Sequence, residues 1–255
     1  MPKDGTKMAR DSEVTAGHPP VLVVGFGRGA NGKSTGLAEV AWRAEAHGRP
    51  VLVADGDFHR SRTLSDLFPE TSTHPESTEP NEVKRWLSEV LNRMVRERTS
   101  VVLDLGTENR VLQEYCRDLR LVEFCARRGL GAVALYFLGP EAEDLRHVLS
   151  VWRGGYFRPK DELLLLNEGA VRQGRTVADA FAATLDDPGL REMVDGGVKP
   201  FLLLRLAAME AVRKPGLGFY RASEALDPVE EFMVSDWLED LESKRVQAGV
   251  AEKLP

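Results

Sequence analysis

Apolar residues fall in short unbroken runs at Val21–Val24, Val51–Ala54, Val101–Leu103, Ala132–Leu138 and Leu163–Leu166. Between them the apolar positions recur at helical spacing, over Ser34 to about His47, Glu82–Arg96, Val111–Arg128 and Glu141–Trp152. Continuous apolar strands alternating with amphipathic helices predict an α/β fold of three layers, a mostly parallel sheet with helices on both faces. Beyond Gly174 the pattern predicts helices at Val177–Thr184 and Pro188–Val194, an edge strand at Phe201–Leu204, and helices at Leu206–Val212 and Val229–Lys244. In the last of these Val229, Phe232, Met233, Trp237 and Leu241 form one apolar stripe, which predicts a helix docked on the sheet. The stretch Phe68–Asn81 is rich in Pro, Ser, Thr and Glu and reads as an exposed, mobile loop. Residues 1–18 lack apolar periodicity and read as a disordered tail. Residues 19–255 then form a single domain, with a C-terminal helical part from about residue 206.

Composition narrows the function classes. The chain has 255 residues, 42% apolar and 29% charged, with a net charge of -6. This balance disfavours a general attraction to nucleic acid or anionic lipid, so any DNA contact must be local, at clusters such as Arg93 with Arg96, Arg127-Arg128 or Arg213-Lys214. No stretch reaches the about eighteen apolar residues of a membrane span, and the N-terminus is charged, which implies a cytoplasmic protein that does not engage a membrane. Cys116 and Cys125 stand nine apart on what reads as one helix. That spacing fits neither a zinc site nor a disulfide framework and predicts reduced core thiols.

Chemistry concentrates at the carboxyl ends of the strands, where parallel sheets bind ligands. The first strand runs into Gly27-Arg28-Gly29-Ala30-Asn31-Gly32-Lys33-Ser34, a G-x-x-x-x-G-K-[ST] pattern between a buried strand and a helix. Such a loop turns successive backbone N–H groups onto phosphate oxygens at a helix N-terminus. The glycines also fit a dinucleotide loop, but that loop has no use for the following Lys-Ser pair. A nucleoside triphosphate, ATP with Mg2+, is therefore expected. Lys33 is placed between the β and γ phosphates, the Ser34 hydroxyl on the metal and Thr35 on the α phosphate. Asp104, ending its strand, is placed on Mg2+ through water, and Asp57 is the candidate for orienting an attacking water. Asp55 reads as a turn former.

With these residues the chain resembles the MinD/ParA family of deviant-Walker ATPases, which includes plasmid-partition, division-site and conjugation-associated members. The likeness spans Val21 to Asn167. The family pattern K-G-G-x-G-K-[ST] is matched by Arg28-Gly29-Ala30-Asn31-Gly32-Lys33-Ser34, with arginine for the signature lysine and alanine for the second glycine. Asp55-Gly56-Asp57 is similar to the family's D-x-D switch, although the usual Pro-Gln after it is missing, as is the Pro-Ala-Gly type sequence after Asp104. The resemblance implies a slow ATPase that dimerises with ATP, with Arg28 reaching the partner's phosphates, Asp57 assisting hydrolysis and Asn167 reading the adenine edge. It also implies a stimulating protein partner and, in some members, non-specific DNA. Two other classes remain open on the same fold. One is a small-molecule phosphotransferase or ATP-dependent ligase that holds an anionic substrate with His59, Arg60 and Arg62. The other is a nucleotide-binding regulatory module with little hydrolysis.

Overall fold

The computed structural model describes residues 18–57, 64–106, 110–212 and 218–255. The expected tail to residue 17, the cluster His59, Arg60, Arg62 and the pair Arg213-Lys214 lie outside the described residues. Strands β1 (Val21–Phe26), β2 (Val51–Asp55), β3 (Ser72–Thr73), β4 (Ser100–Asp104), β5 (Gly131–Leu138), β6 (Asp161–Asn167) and β7 (Lys199–Leu203) build one sheet in the order β3-β2-β4-β1-β5-β6-β7. Every pairing is parallel. The α-helices among the described residues are α1 (Lys33–Ala46), α2 (Pro80–Glu97), α3 (Arg110–Leu119), α4 (Leu121–Arg127), α5 (Ala142–Gly154), α6 (Val177–Leu185), α7 (Pro188–Asp195), α8 (Met209–Val212) and α9 (Pro228–Gln247).

The strands read as unbroken apolar runs because both faces are covered. Leu22, Val24 and Phe26 pack in a cluster with α2 to α7, whereas Val21 and Val23 pack with α1, α8 and α9. The same period of two repeats in β5, where Ala134 and Tyr136 face the first cluster and Val133, Leu135 and Phe137 the second. This is the expected three-layer α/β arrangement, with β7 as the expected edge strand.

Three local expectations are corrected. Residues 68–81 are not a bare loop: Phe68 is buried, and Ser72–Thr73 pair with Val53 and Ala54 as edge strand β3. Val53 N–H donates to Thr71 O at 2.9 Å, and Trp86 Nε1 donates to Thr73 Oγ1 at 3.3 Å. A two-residue strand held by backbone bonds leaves no periodicity to read. The single helix expected over Val111–Arg128 is two, broken at Arg120, whose φ is 54°. Leu112 and Cys116 form one buried stripe, Leu121 and Cys125 another. Nine residues at about 100° each would set these stripes on opposite sides of one helix. The break turns both onto the sheet, and burial pushes both free thiols up to about 12.

The third correction concerns α9. Its buried residues are Val234, Trp237, Leu241 and Arg245, while Val229, Phe232 and Met233 are exposed. The docking stripe passes through a charged position because Arg245 meets a buried acid. Its guanidinium bonds both carboxylate oxygens of Glu39 on α1, and Tyr220 donates to the same carboxylate at 2.9 Å. One turn along α1, Arg43 donates to Glu242 and, at 2.8 Å, to the Pro255 carbonyl. The helix that starts at the glycine loop is thus clamped to the C-terminal segment.

Candidate phosphate site

The loop between β1 and α1 closes on Gly32, whose φ of 83° is the left-handed region, and a Cβ there would collide with Asn167 Nδ2. Glycine is required on both counts. Ala30 takes a comparable φ of 68° with a side chain attached, at a cost of about 1 kcal/mol. Ala30→Gly is therefore expected to raise stability by about 0.5 to 1 kcal/mol in urea denaturation, with a fall in stability arguing against that loop conformation.

Around this loop the structure gathers the residues singled out by sequence. Asp104, fully buried at the end of β4, accepts from Lys33 Nζ, from Ser34 Oγ at 3.0 Å and from Gly106 N–H at 2.9 Å. β1 and β4 are adjacent, so the loop's lysine and hydroxyl meet the carboxylate of the neighbouring strand. Thr35 lies half-buried on the first turn of α1. Asp57 stands at the site's rim, and a Cβ on Gly106 would lie 3.2 Å from its carboxyl group. Asp55 pairs in register with Asp104 but turns inward on the chain, accepting from the N–H groups of Asp57 at 3.1 Å and Ser65 at 2.8 Å. Burial raises its pKa, against those two bonds and with Asp104 adding to the rise. It is the turn former that was expected.

Asn167, at the end of β6, uses both ends of its amide within the chain. Nδ2 donates to Asn31 O and Oδ1 accepts from Gly169 N–H, each at 2.9 Å. It braces the loop, and contact with a base through Nδ2 requires that brace to open. Asn31 itself is buried, and its Nδ2 has no partner among the described residues. Gly27 and Gly29 complete the turn beside it.

Arg28 donates to Asp144 Oδ1 at 3.1 Å, with its side chain 45% exposed. Asp144 also receives the Glu141 N–H at 3.2 Å, as half of the capping box of α5. One turn further, His147 has its pKa lowered by burial and then by Arg28. Asp144 and His147 were not anticipated. The Glu141-x-x-Asp144 capping spacing just after β5 is the sequence signal that marks Asp144; nothing in the sequence marks His147.

The donor set fits the expected ligand. Backbone N–H groups, Lys33 and the unpartnered Asn31 amide suit an anion, and a hydroxyl beside a carboxylate suits a divalent cation whose remaining ligands come from phosphate and water. No group of three or more His, Cys, Asp or Glu able to hold a metal by itself occurs among the described residues. No described helix is long and apolar enough to cross a membrane.

The arginines considered for DNA lie at the other end of the sheet, where α2 and α4 lead into β4 and β5. Arg93 and Arg96 approach Glu97, at 2.8 and 3.9 Å, and Arg127 pairs with Glu123. Arg128 covers the Phe124 ring.

No known protein-family profile matches the chain. Over 54 residues it is 39% identical to the signal recognition particle receptor FtsY of Nitratidesulfovibrio vulgaris, a match that takes in 21% of this chain and 11% of that receptor. Among solved structures it is similar to an ATP complex of McdA from Cyanothece, at 14% identity and a TM-score of 0.47, covering 88% of this chain and 96% of that one. Chloroplast FtsY from Physcomitrella patens gives the same TM-score at 19% identity, covering 74% of this chain and 59% of that one.

Proposed function

We propose that this chain is a slow P-loop ATPase of the MinD/ParA kind, a nucleotide-dependent dimerisation switch serving the partition, positioning or transfer of DNA or another cargo. The observation that carries the reading is the convergence of Lys33, Ser34 and Asp104 at the glycine loop. Asp104 neutralises Lys33 and holds the Ser34 hydroxyl. When ATP with Mg2+ binds, its phosphates compete for the Lys33 ammonium. A bound Mg2+ would supply charge neutralisation to the phosphates. Ser34 and Asp104 are the residues placed to hold it, Asp104 through water.

The loop N–H groups of Gly27 to Gly32, with Thr35, fix the phosphate chain, and Asn167 keeps the loop in place. Asp57, at the rim and against Gly106, orients the attacking water. The missing Pro-Gln after Asp57 suits slow turnover, as a timing device requires. Arg28 is stored on Asp144 until a partner's phosphates offer a stronger acceptor, when its fork forms two charge-assisted bonds. A stimulating protein, and non-specific DNA at the arginine-rich end, are the partners that fit this cycle.

Steady-state ATP turnover tests the assignment. Asp57→Ala is expected to lose at least about tenfold in kcat, the usual scale for a positioning group, while ATP affinity stays within about twofold. Normal turnover by that variant removes Asp57 from the mechanism.

A further inference from the structure

The exposed side of α9 carries a surface that nucleotide chemistry does not use. Phe232 is 69% exposed, Val229 64% and Met233 41%. Phe232 lies nine residues from buried Leu241, on the opposite side of the helix at about 100° per residue. Three large apolar side chains together on the outer stripe of one helix mark a contact site rather than scattered exposure.

The charge around them is one-sided. Between Ala222 and Ser243 the chain has eight acidic residues and no lysine or arginine, in a protein whose whole net charge is -6. Some of these acids are already engaged: Glu224 with Arg221, Asp240 with Lys244, Glu242 with Arg43, and Asp227 as the helix cap. Glu230, Glu231, Asp236 and Glu239 have no ion-pair partner among the described residues.

We infer that this face docks a basic amphipathic segment of a protein partner, whose apolar side chains cover Phe232 and Met233 while its lysines or arginines meet the free carboxylates of Glu231, Asp236 and Glu239. The acidic rim argues against other occupants. Anionic lipid and nucleic acid phosphate are both repelled, and a second copy would set acid against acid.

Fluorescence anisotropy on the full chain tests this with a labelled amphipathic helical peptide of Leu and Lys. The comparison probes are its Glu-for-Lys counterpart and anionic vesicles. The Lys peptide is expected to bind, and the double variant Phe232→Ser, Met233→Ser to weaken it at least about tenfold, the scale of an interface hot spot. Asp236→Lys with Glu239→Lys is expected to weaken it similarly and to flatten its salt dependence. The same charge change at Glu76 and Glu89, exposed residues elsewhere, is expected to leave binding within about twofold. All these positions are on the surface, and circular dichroism checks that the variants fold. Equal binding by the apolar double variant, equal binding of the Glu peptide, or a larger loss from the Glu76 and Glu89 changes overturns the inference. So does patch-dependent vesicle binding or self-association.

Discussion

Lys33→Ala is expected to weaken ATP binding at least about 100-fold, because it removes the ammonium that the loop holds on Asp104 and that the proposed function places on the phosphates. Such a loss corresponds to about 2.7 kcal/mol, within the range for deleting a buried charge-assisted contact. The substitution also acts on the free protein. Asp104 is fully buried, and without Lys33 it keeps, among the described residues, only the neutral bonds from Ser34 and Gly106. Leaving a buried carboxylate without its cation costs about 3 kcal/mol of stability. The two effects separate in the double variant Lys33→Ala, Asp104→Asn. Neutralising position 104 is expected to restore most of the stability in urea denaturation while ATP titration stays silent. Recovery of ATP binding in that double variant would mean that Lys33 serves the fold alone.

The largest stability effect is expected far from the phosphates. Arg245→Met leaves Glu39, which is 1% exposed, with Tyr220 as its remaining side-chain donor. An uncompensated charge there costs about 3 to 5 kcal/mol, a large share of the total stability of a domain. Converting Glu39 to Gln in the Arg245→Met background is expected to return at least half of that loss, since the penalty belongs to the stranded charge and not to missing bulk. Urea denaturation of the two singles and the double measures the coupling directly. Independent, additive losses would show that the Arg245–Glu39 pair does not couple α9 to α1.

Much of the fold was legible because it is written in unbroken apolar runs. β1, β2, β4, β5 and β6 are covered on both faces, and runs of that kind survive reading from a single sequence. The glycine loop was legible because its pattern sits between a buried strand and a helix. What failed to show has particular causes. Edge strand β3 is two residues long and has no pattern to display. The α3 and α4 stripes each have helical spacing, and only the half-turn offset between Cys116 and Cys125 hints at the break at Arg120. In α9 a stripe drawn from apolar residues placed Phe232 and Met233 inward, since no such rule admits Arg245 to a core.

The site divides in the same way. Lys33, Ser34 and Asp104 were readable from motif and strand ends, and they do meet. Arg28 was readable as an unusual cation, but its rest position on Asp144, 116 residues away in the chain, depends on β1 and β5 being neighbours. Asn167 reaches Asn31 across 136 residues for the same reason. Long-range pairs of this kind are set by sheet order, and sheet order is the part of a parallel fold that local periodicity does not record.

The most direct test of the switch is sedimentation velocity of the chain with Mg2+ and either ADP or a non-hydrolysable ATP analogue. A monomer with ADP, a dimer with the analogue, and no dimer with the analogue for Lys33→Ala, Asp104→Asn is the predicted result. The same sedimentation coefficient with both nucleotides would contradict it.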